Sequence, residues 1–151
     1  MIELLIVIAL LGALAVGLLA ALDPFEQLKK GTDTGIRNTV SEIHGSFIRY
    51  YAIKNEMPWG VSGAYAGLAS STGFSTFLSA VIGTGELKSD FFSLAGTQLE
   101  RIYVNGTSDT LTVCFNPQSK SFRSDLNSKY TADGSADATC PNQASCYWCV
   151  K

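Results

Sequence analysis

Hydrophobic and polar positions divide this chain into three textures. From Leu4 to Leu22 every residue is Leu, Ile, Val, Ala or Gly, an unbroken run without a charge, and Glu3 sits at its mouth. As a helix the run is ~28 Å long at 1.5 Å per residue, about the thickness of a bilayer core. From residue 36 the apolar positions recur at steps of three and four: Ile36, Val40, Ile43, Phe47 and Tyr50 or Tyr51. Arg37, Asn38, Ser41, Glu42 and Arg49 fall mostly elsewhere, which predicts an amphipathic helix with one apolar stripe. Past residue 98 the period changes to two. Residues 99–104 and 111–115 read as strands, with Leu111, Val113 and Phe115 on one face and Thr112 and Cys114 on the other.

The joints between these textures carry their own signals. Asp23-Pro24-Phe25-Glu26 combines a good N-cap, a proline favoured at the first helical position and a glutamate three residues past the cap. A helix therefore starts or restarts at Pro24, with a kink or melted stretch expected over residues 20–23. Gly12 and Gly17 are tolerated in a lipid-embedded helix and let helices approach closely. With Asp23 and Pro24 they are the positions expected to break or restart the helix. Gly31-Thr-Asp-Thr-Gly35 is expected to weaken it locally, and the pattern ends near Asn55, ahead of Pro58. Residues 58–98 are rich in Gly, Ser and Ala and read as loop, with a short helix over 76–82 stopped by Gly83 and Gly85. Asn105-Gly106 is a hairpin-turn signal, lengthened by residues 107–109. Residues 119–123 are expected as a third strand, 125–142 as a polar loop and 146–150 as a last strand. The fold class is α+β, in three regions. Residues 1–22 form an apolar segment and 23–55 the amphipathic half of the same helix. Residues 56–151 form a head in which a small antiparallel sheet packs on that helix.

Composition narrows the function classes. The net charge of −2 leaves no basic footprint for a nucleic acid. Only 16% of residues are charged, against the usual ~25%, which suggests a surface largely covered by something, copies of itself included. The apolar run has no basic segment ahead of it and exceeds a usual signal-peptide core. A membrane anchor, or a segment that begins in a membrane and later packs into an assembly, remains. All four cysteines, Cys114, Cys140, Cys146 and Cys149, lie in the last quarter of the chain. An even count behind an apolar N-terminus predicts disulfides, and the single CxxC at Cys146 is a weaker signal for zinc than two such pairs. Of three possible pairings, Cys140–Cys146 closes a short loop around Pro141 and Cys114–Cys149 spans neighbouring strands. The crossed pairings would tie the end of the chain to the sheet equally well.

Ile2-Glu3-Leu4-Leu5-Ile6-Val7-Ile8-Ala9-Leu10-Leu11-Gly12 resembles the N-terminal signature of type IV pilins and the related pseudopilins of type II secretion. The likeness is confined to the apolar N-terminal segment, and the order of long helix, sheet and late cysteines fits it. The family pattern carries Phe-Thr ahead of the residue that is Met1 here, and often a proline where Ala20 stands. The resemblance implies a precursor with a short basic leader, cut by a prepilin peptidase and often N-methylated at its new first residue. The chain then waits as a single-pass protein in the cytoplasmic membrane. A pilus assembly machinery extracts it into a helical homopolymer at the cell surface, serving adhesion, motility or DNA uptake. Glu3 is then expected to pair with the N-terminal ammonium of a neighbouring subunit, the group borne by Met1 here. A pseudopilin of a secretion system is the alternative.

Other chemistry is sparse. His44 is the single histidine and has no nucleophile motif beside it. Asp125, Asp133 and Asp137 share a polar loop whose spacing matches no recognised calcium loop. Asn105-Gly-Thr107 is a glycosylation sequon that a turn explains as well. No phosphate-loop or zincin motif is present, so no cofactor and no enzymatic activity are expected.

Overall fold

A computed structural model describes every residue except Leu22, and Ala21 through its backbone alone. Helix α1 runs Ile2–Ala21 and helix α2 runs Pro24–Lys54. Asp23 caps α2 as expected: its carboxylate accepts from the Glu26 amide at 3.3 Å, and its carbonyl accepts from Gln27. The expected kink falls partly on Leu22, outside the described residues. Gly12 and Gly17 do not break α1, which is continuous through both. A lone glycine costs a helix only about 1 kcal/mol, and the flanking Leu and Ala positions propagate the helix across it. Gly31 and Gly35 do not interrupt α2 either. Asn55 ends α2 in the left-handed conformation, φ 57°, donating its amide to the Tyr51 carbonyl at 2.7 Å.

The predicted stripe is the core face of α2. Ile36, Val40, Ile43 and Phe47 are fully buried against the head, each contributing about 1.5–3 kcal/mol of burial. They meet a four-stranded antiparallel sheet in the order β1 (Tyr65–Leu68), β2 (Ile102–Gly106), β3 (Leu111–Phe115), β4 (Trp148–Val150). Leu111, Val113 and Phe115 face α2, as their alternation predicts. Helix α3 (Thr72–Gly83) covers the β1 side with Phe74, Leu78 and Val81. It begins earlier than the predicted short helix, because Ser71 caps it by accepting from the Phe74 amide. A short α4 (Phe91–Ala95) and a 3-10 turn (Gly96–Arg101) follow, so the expected strand over 99–104 starts only at Ile102.

Three further expectations change. The loop 58–98 contains β1, whose strand character comes from its register with β2, Tyr65 opposite Gly106 and Leu68 opposite Tyr103. Asn105 and Gly106 belong to β2 and not to a turn; the hairpin closes at 107–110, where the Thr107 amide donates to the Thr110 carbonyl. Gly106 is needed for space: a Cβ there would lie 2.4 Å from the Trp59 ring, which is held by a hydrogen bond from its Nε1 to the Thr107 carbonyl. Residues 119–123 are not a strand. Lys120–Arg123 form a single helical turn, α5, capped by Ser119.

The reason for α5 lies on α2. Asp33 is fully buried, accepts from the Gln118 and Ser119 amides at 2.9 and 2.7 Å, and pairs with Arg101 at 3.1 Å. Glu26 accepts the next amide, Lys120. Two carboxylates of α2 thus collect the amides at the start of α5, which a strand would have offered to a neighbour. Replacing Asp33 by Ala strands two amides and the Arg101 charge. It should lower unfolding free energy by about 3 kcal/mol, with Asp33→Asn recovering part of the loss. Denaturant unfolding of the full chain in detergent measures both.

Candidate assembly site

The apolar residues of α1 form no stripe; they cover every face. The span Ile2–Ala20 has a mean hydropathy of 2.8 and none of it is buried inside the molecule. It is long and apolar enough to cross a membrane by length and composition. Glu3 is the acidic residue of its first turn, where the helix dipole favours a negative charge. Glu3 and the Met1 ammonium are both exposed, and among the described residues neither makes an ion pair. Around Gly12 and Gly17 nothing lies within 4 Å of where a Cβ would stand, so both present bare backbone to whatever surrounds α1.

The cysteine region is closed by two disulfides, Cys114–Cys149 and Cys140–Cys146. Cys114 and Cys149 face each other in register across β3 and β4, with Cα atoms 4.1 Å apart. The second bridge closes the short loop around Pro141. The Asn116 amide then holds that loop by donating to the Ala144 and Cys146 carbonyls.

The loop carboxylates serve their own turns. Asp125 accepts from the Asn127 amide, Asp133 from Thr131 and Ser135, and Asp137 from the Thr139 amide and hydroxyl. These bonds hold Asp133 and Asp137 below the usual carboxylate range. Among the described residues no three of His, Cys, Asp and Glu cluster as metal ligands. Asn105 donates its side-chain amide to the Asp133 carbonyl, tying β2 to this loop.

His44 lies beside Ile48 in a cleft of about 510 Å³ with Asp109, Leu111 and Lys151. Burial pushes its imidazole below the ordinary range, opposed by a hydrogen bond with the Leu111 backbone. Sequence reasoning missed Asp33, whose role depends on partners far along the chain. A groove of about 290 Å³ between Asn38, Thr39 and Glu42 of α2 and Phe91, Leu94 and Ala95 of α4 was also missed, because α4 carries no signal of its own in a Gly/Ser-rich stretch.

Comparison with protein-family models, with curated proteins and with solved structures finds no match for this chain. The architecture itself, an apolar N-terminal helix joined to a helix-backed sheet with two C-terminal disulfides, is compatible with a pilin-like fold.

The lowered His44 value fixes the sign of a pH effect. The unfolded chain binds the proton more readily, so this contribution to stability is fully present above about pH 6.5 and is lost as pH falls below it. Melting temperature should drop between pH 7 and pH 5, and His44→Gln should flatten that drop. Asp133 and Asp137 act only at lower pH, with their own contribution lost as pH falls below about 3.8.

Proposed function

We propose that this chain is a structural subunit that polymerises into a type IV pilus-like filament at the cell surface, after residing in the cytoplasmic membrane through α1. One observation carries the reading: a helix whose span Ile2–Ala20 has no buried residue, apolar on all faces and bearing a carboxylate in its first turn. Such a surface is satisfied by lipid or by copies of itself. The lipid-like run accounts for the membrane stage, and the glutamate accounts for the filament. An ionised carboxylate in an apolar surround costs several kcal/mol unless paired. In a bundle of α1 helices the N-terminal ammonium of a neighbouring subunit is its partner. The pair also sets axial register between helices that would otherwise slide. The two disulfides support exposure of the head to an oxidising compartment. Prepilin peptidase and a pilus assembly machinery are the partners this reading requires. Adhesion, motility and DNA uptake are the uses it allows.

Electron microscopy of material sheared from cells, with a label against the head, tests this. Long labelled filaments are expected from the wild-type chain. Glu3→Ala should leave the head folded and disulfide-closed while reducing filaments by an order of magnitude or more. Normal filaments from that variant would remove the pairing role. Wild-type label confined to the membrane would overturn the pilus reading in favour of a pseudopilin or an anchored domain.

A further inference from the structure

We propose that, while the chain resides in the membrane, α2 leans toward its head-bearing side and lays Phe25 and Leu28 among phospholipids, at the boundary between acyl chains and headgroups. The inference rests on the reading that α1 crosses the bilayer, and it names the lipid contact of the segment just beyond the span.

Phe25 faces the way the core faces. At about 3.6 residues per turn it stands on the same side of α2 as Ile36 and Ile43. Those two are fully buried, whereas Phe25 is 74% exposed. Glu26, the next residue, already takes the Lys120 amide. The head-bearing face of α2 therefore runs on below the head and ends in an uncovered aromatic ring. Leu28 lies about 60° around the helix from Phe25, on the side away from Glu26, and is 69% exposed. No other large apolar side chain of α2 is as exposed as these two.

Their height above the membrane selects the occupant. The apolar span ends at Ala20. Along a helix Phe25 is about 8 Å past that point and Leu28 about 12 Å. The headgroup layer adds only ~5–8 Å to each side of the hydrocarbon core. An upright α2 would hold Phe25 at the outer limit of that layer and Leu28 in water. Asp23 has a ψ of 89°, outside the helical range, and a new helix starts at Pro24, so α2 is not obliged to continue the direction of α1. Leaning toward the head-bearing side turns both side chains down into lipid and sets the underside of the head on the headgroups. Lipid is the occupant because α1 carries this patch to the bilayer surface by covalent continuity. A lipid boundary takes an apolar face flanked by lysines.

The charges around the patch permit a phosphate layer without choosing it. Lys29, Lys30 and Lys120 are all exposed. Glu26 is occupied by the Lys120 amide and by Lys29 at 3.8 Å, and Asp23 is occupied as the cap of α2. Lys30 shares its cleft with Arg37 and Asp125, two cations to one carboxylate. Lysine stems lie along apolar surface and lift their ammonium groups to the phosphates.

The test uses the full chain in the membranes of cells that make it, with the photoreactive side chain benzoylphenylalanine placed at one position at a time. On illumination, Phe25→benzoylphenylalanine and Leu28→benzoylphenylalanine should each give chain joined to one phospholipid, read by mass. Gln27 lies between them in height but on the opposite side of α2, and Ile53 lies about 40 Å further along the helix. The same probe at Gln27 or Ile53 should give about tenfold less lipid adduct, in keeping with water on those faces. Equal adducts at Gln27 and Leu28 would overturn the lean. Adducts at Phe25 without any at Leu28 would mean an upright α2 and overturn it too. Adducts from both positions to a second copy in place of lipid would overturn the choice of occupant. Closure of both disulfides in each variant shows that the head has folded. Failure of the underlying reading looks different: carbonate washing would release the wild-type chain from the membranes, and the lipid contact would fall with the span.

Discussion

Asp33 is the constraint on which the lower head depends. A carboxylate with no exposed surface sits on a helix whose other buried positions are mainly apolar. It is tolerated because Arg101 and the amides of Gln118 and Ser119 surround it, each within 3.1 Å. These partners come from two places, the end of the 3-10 turn that feeds β2 and the segment that leaves β3. One side chain therefore fixes where α2 lies relative to both. Arg101 extends the tie by donating to the Asn116 carbonyl, which anchors the turn out of β3. Asn116 in turn holds the loop of the second disulfide. A chain of charge-assisted and amide hydrogen bonds thus runs from the helix to the cysteine region.

The upper head is held differently. Phe47 stacks on Phe74 at 5.4 Å, and Trp59, Tyr65 and Phe77 continue the contact outward. Its polar groups are met at the edges: the Trp59 Nε1 donates to the Thr107 carbonyl, and the Tyr65 hydroxyl donates to the Leu68 carbonyl at 2.8 Å. The same α2 helix is therefore clamped by electrostatics near its start and by ring packing near its end. Just past Phe47, the Arg49 guanidinium reaches Glu86 at 2.7 Å and fastens the α3–α4 connection. That connection carries the groove wall, so the groove is built on an anchored loop.

How much of this was legible depends on the distance of the deciding partner. The stripe of α2, the cap at Asp23 and the alternation of β3 are local, and the structure follows them. Ser119-Lys-Ser-Phe-Arg123 reads locally as alternation, yet it becomes a helical turn, because the groups that take its amides lie 86 and 94 residues earlier. Asn105-Gly106 carries the residues of a turn, but the glycine is there because the Trp59 ring, from a distant part of the sequence, occupies the space of its missing side chain. Tyr65-Ala-Gly-Leu68 has little strand propensity and gains its form from β2 alone. Glu3 was legible as a candidate because a lone charge beside a hydrocarbon run is anomalous in any context. The groove beside α4 was not, since a surface shape arises only once α2 and α4 are in place.

The Cys114–Cys149 bridge has a consequence outside thermodynamics. It closes a covalent ring around the polar segment between β3 and β4, a sequence separation of 35 residues. Half of the residues of that segment are exposed, it carries little regular structure, and it is the natural place for a protease to cut. A single cut there opens the ring without dividing the molecule. The last strand stays covalently joined to its neighbour, and the damaged subunit keeps its place instead of shedding its end.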